Sequence, residues 1–338
     1  MITAPYGRGV CLLRKTMKSI FTAMAMLLPL FGVPASALAS CGSAFCTVNT
    51  SWDVQGGSME PGARLDLRYE AITQDRPRTG SNDIAFGQIR RHHDEVSTRN
   101  RNWVGTFDYA FNADWGLSAS MPLVDREHLH IHNHQGGQLP EAWDFRAAGD
   151  LRLLARYRLS STETRDPPTA GATGIHFGLK LPTGRFNVRN GDGELAERSL
   201  QPGTGTTDAL LGAFMTRSLP LKDLSWFAQG IVQVPLNVRE GYRPGQRVTL
   251  DAGLRYDATD RWSWMLQVNT VLRGRESGVE AEPPDTGGKA VWIAPGASYA
   301  ATADVRLYGF LQLPVFQYVN GVQITAHKAV VLGVNARF

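Results

Sequence analysis

From Trp103 onward the chain alternates. Trp103, Gly105, Phe107, Tyr109 and Phe111 fall on one parity, and Val104, Thr106, Asp108, Ala110 and Asn112 on the other. Period two is the signature of an extended strand, whose successive side chains point to opposite faces. Here one face suits lipid and the other suits water. After Ala113 and Asp114 the pattern returns, with Trp115, Leu117, Ala119, Met121 and Leu123 opposed to Gly116, Ser118 and Ser120, so the two strands form a hairpin. It recurs where Leu151, Leu153, Ala155, Tyr157 and Leu159 oppose Asp150, Arg152, Leu154, Arg156 and Arg158. It recurs again where Val248, Leu250, Ala252, Leu254 and Tyr256 oppose Arg247, Thr249, Asp251 and Arg255. No comparable helical period runs through the chain, and beyond the N-terminus no apolar stretch is long enough to cross a bilayer as a helix.

A soluble β-sandwich alternates as well, so connection lengths carry the decision. The pattern places strands at 63–72, 99–112, 115–125, 146–159, 172–182, 207–218, 224–236, 246–258, 261–272, 289–300, 303–318 and 322–338. Long polar links (73–98, 126–145, 183–206, 273–288) follow the odd strands and short turns such as Ala113-Asp114 and Thr259-Asp260 follow the even ones, with 160–171 the longest exception. That asymmetry is the pattern of periplasmic turns and extracellular loops. The last strand alternates through Val330, Leu332, Val334 and Ala336 to Phe338, resembling the C-terminal signal read by the barrel-assembly machinery of Gram-negative bacteria. The expected fold is therefore all-β, a transmembrane antiparallel barrel of about twelve strands over 63–338. Closure follows from physics, because an unpaired backbone group in hydrocarbon costs several kcal/mol. Trp103, Trp115, Trp226, Trp262, Trp264 and Tyr299 sit near strand ends, where interfacial girdles form.

The N-terminus reads as an export signal over 1–39. Arg8, Arg14, Lys15 and Lys18 precede the apolar run Ile20 to Val33, and Ala37-Leu38-Ala39 gives small residues at cleavage spacing; Met17 is an alternative start. Removing that segment takes four of the 35 Lys and Arg and none of the 31 Asp and Glu, leaving 31 against 31. The mature chain is neutral, which argues against a nucleic-acid partner. Residues 40–62 read as an N-terminal periplasmic segment holding Cys41 and Cys46, for which an oxidising compartment makes a local disulfide the default. The competing reading is a lipobox, Leu38-Ala39-Ser40-Cys41, with Cys41 lipidated.

One stretch carries a family resemblance. Gly178-Leu179-Lys180-Leu181-Pro182-Thr183-Gly184, a polar loop, and Leu200-Gln201-Pro202-Gly203-Thr204-Gly205 leading to Leu210-Leu211-Gly212 resemble the outer-membrane proteins grouped with the meta-pathway phenol-degradation family. The resemblance covers roughly 35 residues of the chain, and it implies a porin-like or transporter-like barrel, with hydrophobic or aromatic solutes only by association.

Two groups of residues are candidates for function. His128, His130, His132 and His134 recur at every second position in the expected loop after the third strand, with Glu127 adjacent and His92 and His93 in the preceding loop. Period two puts the imidazoles on one side, where they could hold Zn, Cu or Ni; the bland alternative is a solvated loop. The second group is the expected lumen lining: Arg64, Arg68, Arg152, Arg156, Arg158, Lys180, Arg247 and Arg255 against Asp66, Glu70, Asp108, Asp150 and Asp251. A mainly basic, water-filled pore favours anions, whereas pairing of these charges across the barrel would plug it. His176 and His327 fall on inward faces by parity, but no GxSxG elbow and no defensible nucleophile–base pair accompanies them, so no enzyme is expected. Gly191-Asp192-Gly193 and Gly203-Thr204-Gly205 are turn chemistry. The sequence thus supports an outer-membrane channel or transporter with lipid and a small-molecule solute as partners and no required cofactor. The alternatives are a surface or uptake protein that binds Zn, Cu or Ni, and a structural or enzymatic barrel.

Overall fold

The computed structural model describes residues 48–51, 61–90, 93–134, 137–165, 168–221 and 223–338. The expected signal peptide and the Cys41–Cys46 pair lie outside the described residues. The strands are β1 (Gly62–Gly80), β2 (Asn82–Asp83), β3 (His93–Ala110), β4 (Trp115–His134), β5 (Gly137–Ala148), β6 (Leu151–Arg165), β7 (Pro168–Leu181), β8 (Asp208–Ser218), β9 (Leu224–Pro235), β10 (Arg247–Asp257), β11 (Trp262–Arg273), β12 (Gly288–Ala300) and β13 (Val305–Arg337). A short 3-10 turn, Arg198–Leu200, interrupts the longest loop.

Each strand pairs antiparallel with the next around the ring, and β13 closes it by pairing with β1 from Arg64↔Arg337 to Gly80↔Val319. β2 and β5 lie outside that path, on β1 and β4. Alternation of direction makes β12 and β1 run opposite ways, yet β13 is antiparallel to both. A single straight strand cannot do this, so β13 reverses within itself. The reversal is at Asn320-Gly321, where Gly321 has φ +55°, a left-handed conformation that glycine adopts without steric cost. A Cβ built on Gly309 would lie 3.1 Å from Leu332 and one on Gly333 2.3 Å from Tyr308, which confirms that the halves are neighbours. With β13 counted as two strands, the chain crosses the wall twelve times and no strand of the ring is left with an open edge.

The wall is apolar outside and polar inside. Trp103, Phe107, Tyr109, Leu117 and Met121 are exposed, while Glu70, Asn102, Gln267 and Asn269 are completely buried. Above Trp103 the outer face turns charged, with Arg101 paired to Asp125 and Glu127, and Arg146 to Asp125. These groups mark one limit of the apolar band. At its other limit aromatic pairs ring the barrel: Trp115 on Tyr157 with centroids 4.5 Å apart, and Trp262 on Tyr299 at 4.9 Å. Short turns here share a device. The side-chain oxygens of Asn112, Thr259 and Thr302 each accept backbone N–H groups two and three residues on, replacing ladder bonds that the turn cannot make. We call this the turn end and the opposite rim the loop end.

Three expectations are corrected. The histidine row is strand, not loop: β4 continues to His134 and pairs with β5 from Leu123↔Ala148 to His134↔Gly137. Once past the lipid, its outward positions become Asp125 and Glu127, so alternation persists while its apolar half disappears. The link 73–98 is likewise shortened, because β1 runs to Gly80 and β3 begins at His93. The 160–171 link is a hairpin extension of β6 and β7, paired from Ser160↔Thr173 to Arg165↔Pro168. Val48–Ser51, from the expected N-terminal segment 40–62, lies against the inner wall of the barrel. Val48 packs in a cluster with Met265, Ala294, Phe310 and Val331, and Asn49 bonds to Gln229 and Gln267. The inner wall offers that segment both an apolar patch and amide partners for its backbone.

Candidate functional site: the barrel interior and its loop-end mouth

Inward parity on β1, β3, β4, β6, β7, β9 and β10 lines a cavity of about 230 Å³. Of the expected lumen residues, Arg64, Arg68, Arg152, Arg156, Arg247 and Asp251 reach it, as do Asp66, Asp108 and His176. Arg68 donates to Glu70 at 2.8 Å and to Thr50 Oγ1 at 2.8 Å. Among the described residues, Arg152 and Arg247 make no ion pair or hydrogen bond. A full interior salt-bridge network is therefore not what fills the barrel. His176 packs on Phe214 with centroids 4.9 Å apart, while His327 stands beside Asp75, Nδ1 to Oδ1 3.3 Å, on the partly exposed rim.

A second cavity of about 150 Å³ lies between β1, β11, β12 and β13. Ile72, Trp292, Ile324 and Ala329 give it apolar walls, and Arg247 and Arg273 supply charge. Arg247 borders both cavities. Sequence reasoning missed Trp292 and the amides Gln229, Gln267 and Gln312, whose inward parity was the available signal.

Three expected lumen residues have other work. Arg158 bonds Asp114 and Arg255 bonds Asp257, both at the turn end. Asp150 anchors the 182–207 loop, and here the Leu-Pro-Thr-Gly and Gln-Pro-Gly-Thr-Gly motifs acquire a physical meaning. Asp150 Oδ1 accepts the Gly184 N–H at 3.0 Å, and its Oδ2 accepts the Thr204 N–H at 3.0 Å and Lys180 Nζ at 2.7 Å. Lys180 also donates to the Thr206 carbonyl at 2.9 Å and lies 3.4 Å from Asp208. Gly203 is forced by close approach, since a Cβ there would stand 2.6 Å from Asp150 Oδ1 and 2.7 Å from the Gly184 carbonyl carbon.

The anchored loop turns back over the mouth. Leu200 is fully buried with Trp143 and Ala196, and its carbonyl accepts from Arg126. Arg198 donates to the carbonyls of Phe186, Thr204 and Arg239, joining this loop to 236–246. Arg243 and Ser277 exchange backbone bonds of 2.8 and 2.9 Å, joining 236–246 to 274–287.

Under this cap the histidines gather. His128, His130 and His132 point inward from β4, and His93 from the start of β3 stacks on His130 with centroids 5.3 Å apart. His92 and the side chain of His134 lie outside the described residues. His93 Nε2 is 3.2 Å from Glu197 Oε1 and 3.7 Å from Glu282 Oε2. His130 Nε2 bonds Glu141 Oε2 at 2.9 Å, and its Nδ1 faces Glu197 Oε1 at 3.9 Å. His132 Nδ1 lies 3.5 Å from Glu141. His128 Nδ1 bonds Thr98 Oγ1 at 2.8 Å. This rim stands beyond the apolar band. There, burial first, then His130, Arg126 and His93, holds the His128 imidazolium down to about 3, so this ring is neutral. Burial also lowers His130, against the opposing pull of Glu141. Glu141, Glu197 and Glu282 carried no sequence signal, since each reaches the histidines only through tertiary closure.

No protein-family model matches the sequence, and no curated protein matches it. Solved structures do. An outer-membrane channel from Pseudomonas putida F1 is similar at 13% identity and TM-score 0.60, over 82% of this chain and 96% of that one. The porin KdgM, solved with disordered oligogalacturonate, aligns over 81% of this chain and 99% of its own, at 10% identity and TM-score 0.44. The porin NanC aligns over 81% and 100%, at 11% and 0.41. The likeness to the Pseudomonas putida channel is one of fold, a closed antiparallel β-barrel.

Proposed function

We propose that this chain is a Gram-negative outer-membrane channel for small organic anions with an apolar body, such as aromatic carboxylates; the phenol-degradation resemblance supports the aromatic part alone, and only by association. The carrying observation is Arg247, a guanidinium without an ion pair that borders both the basic cavity and the apolar one. Arg152, also without an ion pair, lines the same basic cavity. Two such charges inside a narrow low-dielectric wall raise the local concentration of anions. Trp292, Ile72 and Ile324 beside Arg247 suit an aromatic ring whose carboxylate meets the guanidinium. Export by the signal segment, assembly through the strand ending at Phe338, and a loop end facing the medium belong to the same reading.

Purified protein in planar bilayers tests it. The expected record is discrete conductance with a reversal potential favouring chloride over potassium, reduced by added benzoate. No conductance steps, or a preference for cations, overturns the proposal.

A further inference from the structure

We propose that His93, His130, Glu197 and Glu282 form a binding site for one divalent transition-metal ion of the Zn²⁺ type, which ties the 182–207 and 274–287 loops to the barrel wall. The site is independent of the solute reading, since it lies in the mouth rather than in either interior cavity.

The argument begins with donor spacing. His93 Nε2 and one oxygen each of Glu197 and Glu282 all lie within 4.8 Å of one another. Ligands held at about 2.0–2.1 Å in a tetrahedron stand about 3.3 Å apart. The 3.2 Å separation of His93 from Glu197 and the 3.7 Å separation from Glu282 are close to that edge. Hence small side-chain adjustments complete the geometry.

His130, which stands outside that group of three, would supply the fourth donor by moving its Nδ1 in from 3.9 Å off Glu197 Oε1. Its Nε2 is engaged by Glu141 at 2.9 Å. A neutral imidazole that donates there carries its proton on Nε2 and leaves the Nδ1 lone pair for an ion. A carboxylate behind the ring in this way is the usual outer shell of a ligating histidine. Nδ1 is buried, makes no hydrogen bond and faces Glu197. Two imidazoles and two carboxylates suit a borderline ion such as Zn²⁺, whereas Ca²⁺ and Mg²⁺ call for six or more oxygen ligands or retained waters.

The four donors come from four separate parts of the chain, β3, β4 and two loops, and the loops bearing the glutamates are already fixed. The Asp150–Lys180 network and Arg126 hold the Glu197 loop. Asp285 accepting the Val322 N–H and Arg275 donating to the carbonyls of Pro283 and Pro284 hold the Glu282 loop. Little ordering therefore remains to be done on binding, which favours affinity.

The test is Zn²⁺ titration of the detergent-solubilised full chain after chelator treatment, by calorimetry and metal analysis, with excess Mg²⁺ and Ca²⁺ present. The expected result is one Zn²⁺ per barrel. Affinity should fall at least about tenfold in Glu197→Gln/Glu282→Gln, the lower end of what even an outer-shell partner is worth, and stay unchanged in His132→Ala/His134→Ala. Failure of the unaltered protein to take up Zn²⁺, or equal binding by the double glutamine variant, overturns the proposal. So does loss of binding in His132→Ala/His134→Ala alone, which would assign the ion to the histidine row. Should the glutamine variant not fold, X-ray absorption of the Zn²⁺-loaded unaltered protein decides: a mixed imidazole and oxygen shell supports the site, and an all-imidazole shell overturns it.

Discussion

Asn49 and Gln267 exchange two hydrogen bonds across the inside of the barrel. The Asn49 N–H donates to Gln267 Oε1 at 3.1 Å, and Gln267 Nε2 donates to the Asn49 carbonyl at 3.0 Å. One side-chain amide thus does for this peptide unit what a neighbouring strand would do, which allows an N-terminal segment to sit in the lumen without orphaned backbone groups. Gln229 adds a third bond, accepting from Asn49 Nδ2 at 3.1 Å. Gln267→Ala removes both backbone partners and leaves buried groups that cost about 1–3 kcal/mol each when unsatisfied. The expected outcome is release of the segment and larger single-channel steps than the unaltered protein gives, read in planar bilayers. Unchanged step size would show that Val48–Ser51 does not obstruct the path.

The Asp150–Lys180 pair predicts a different failure. Both groups are buried, and Asp150 also receives the Gly184 and Thr204 N–H groups. Asp150→Ala leaves Lys180 with Asp208 as its carboxylate partner, but it strips the Gly184 and Thr204 N–H groups of their acceptor, at about 1–3 kcal/mol for each group left unsatisfied. The damage should be local to the 182–207 loop. Limited proteolysis should cut within that loop while the barrel keeps its heat-modifiable mobility on electrophoresis. Resistance equal to that of the unaltered protein would contradict this account.

What the sequence made legible follows from the lipid. A wall with hydrocarbon outside and water inside must alternate, so Trp103, Phe107, Leu117 and Leu250 disclosed their strands. Ala113-Asp114 and Thr259-Asp260 marked short connections for an equally local reason. Past the lipid that constraint lapses. Asp125 and Glu127 replace the apolar parity, and β4 read as a loop although His128, His130 and His132 still alternated with Leu129 and Ile131. Asn49, Glu197 and Glu282 were illegible for another reason: nothing in their own segments has a period, and their partners are brought to them only when the ring closes.

Glu276 gives the loop cap a pH dependence. Burial is the main cause that raises its carboxyl above the ordinary 4.5, with the Arg273 charge, a hydrogen bond with Tyr242 and the Arg198 charge acting in the opposite direction. A folded value above the unfolded one means that the folded state binds the proton more tightly. The contribution to stability is then fully present below 4.5 and is lost as pH rises through the folded value. The difference in melting temperature between the unaltered protein and Glu276→Gln should therefore widen in favour of the variant as pH rises across that window, and level off above it. A difference independent of pH would show that Glu276 does not titrate abnormally.

Arg247 offers the sharpest test of anion passage because it borders both cavities and makes no ion pair. At about 6 Å from a passing ion, a unit charge contributes roughly 1–3 kcal/mol at an effective dielectric between that of the protein surface and water. Arg247→Gln should accordingly lower the ratio of anion to cation permeability by roughly tenfold, and Arg247→Glu should invert the sign of the reversal potential. Block by benzoate should weaken in both variants, because the carboxylate loses its partner while the Trp292 wall remains. Trp292→Ala should do the converse, weakening benzoate block while leaving chloride selectivity intact. If charge reversal at Arg247 moves neither selectivity nor block, the ions take a route that avoids the junction of the two cavities.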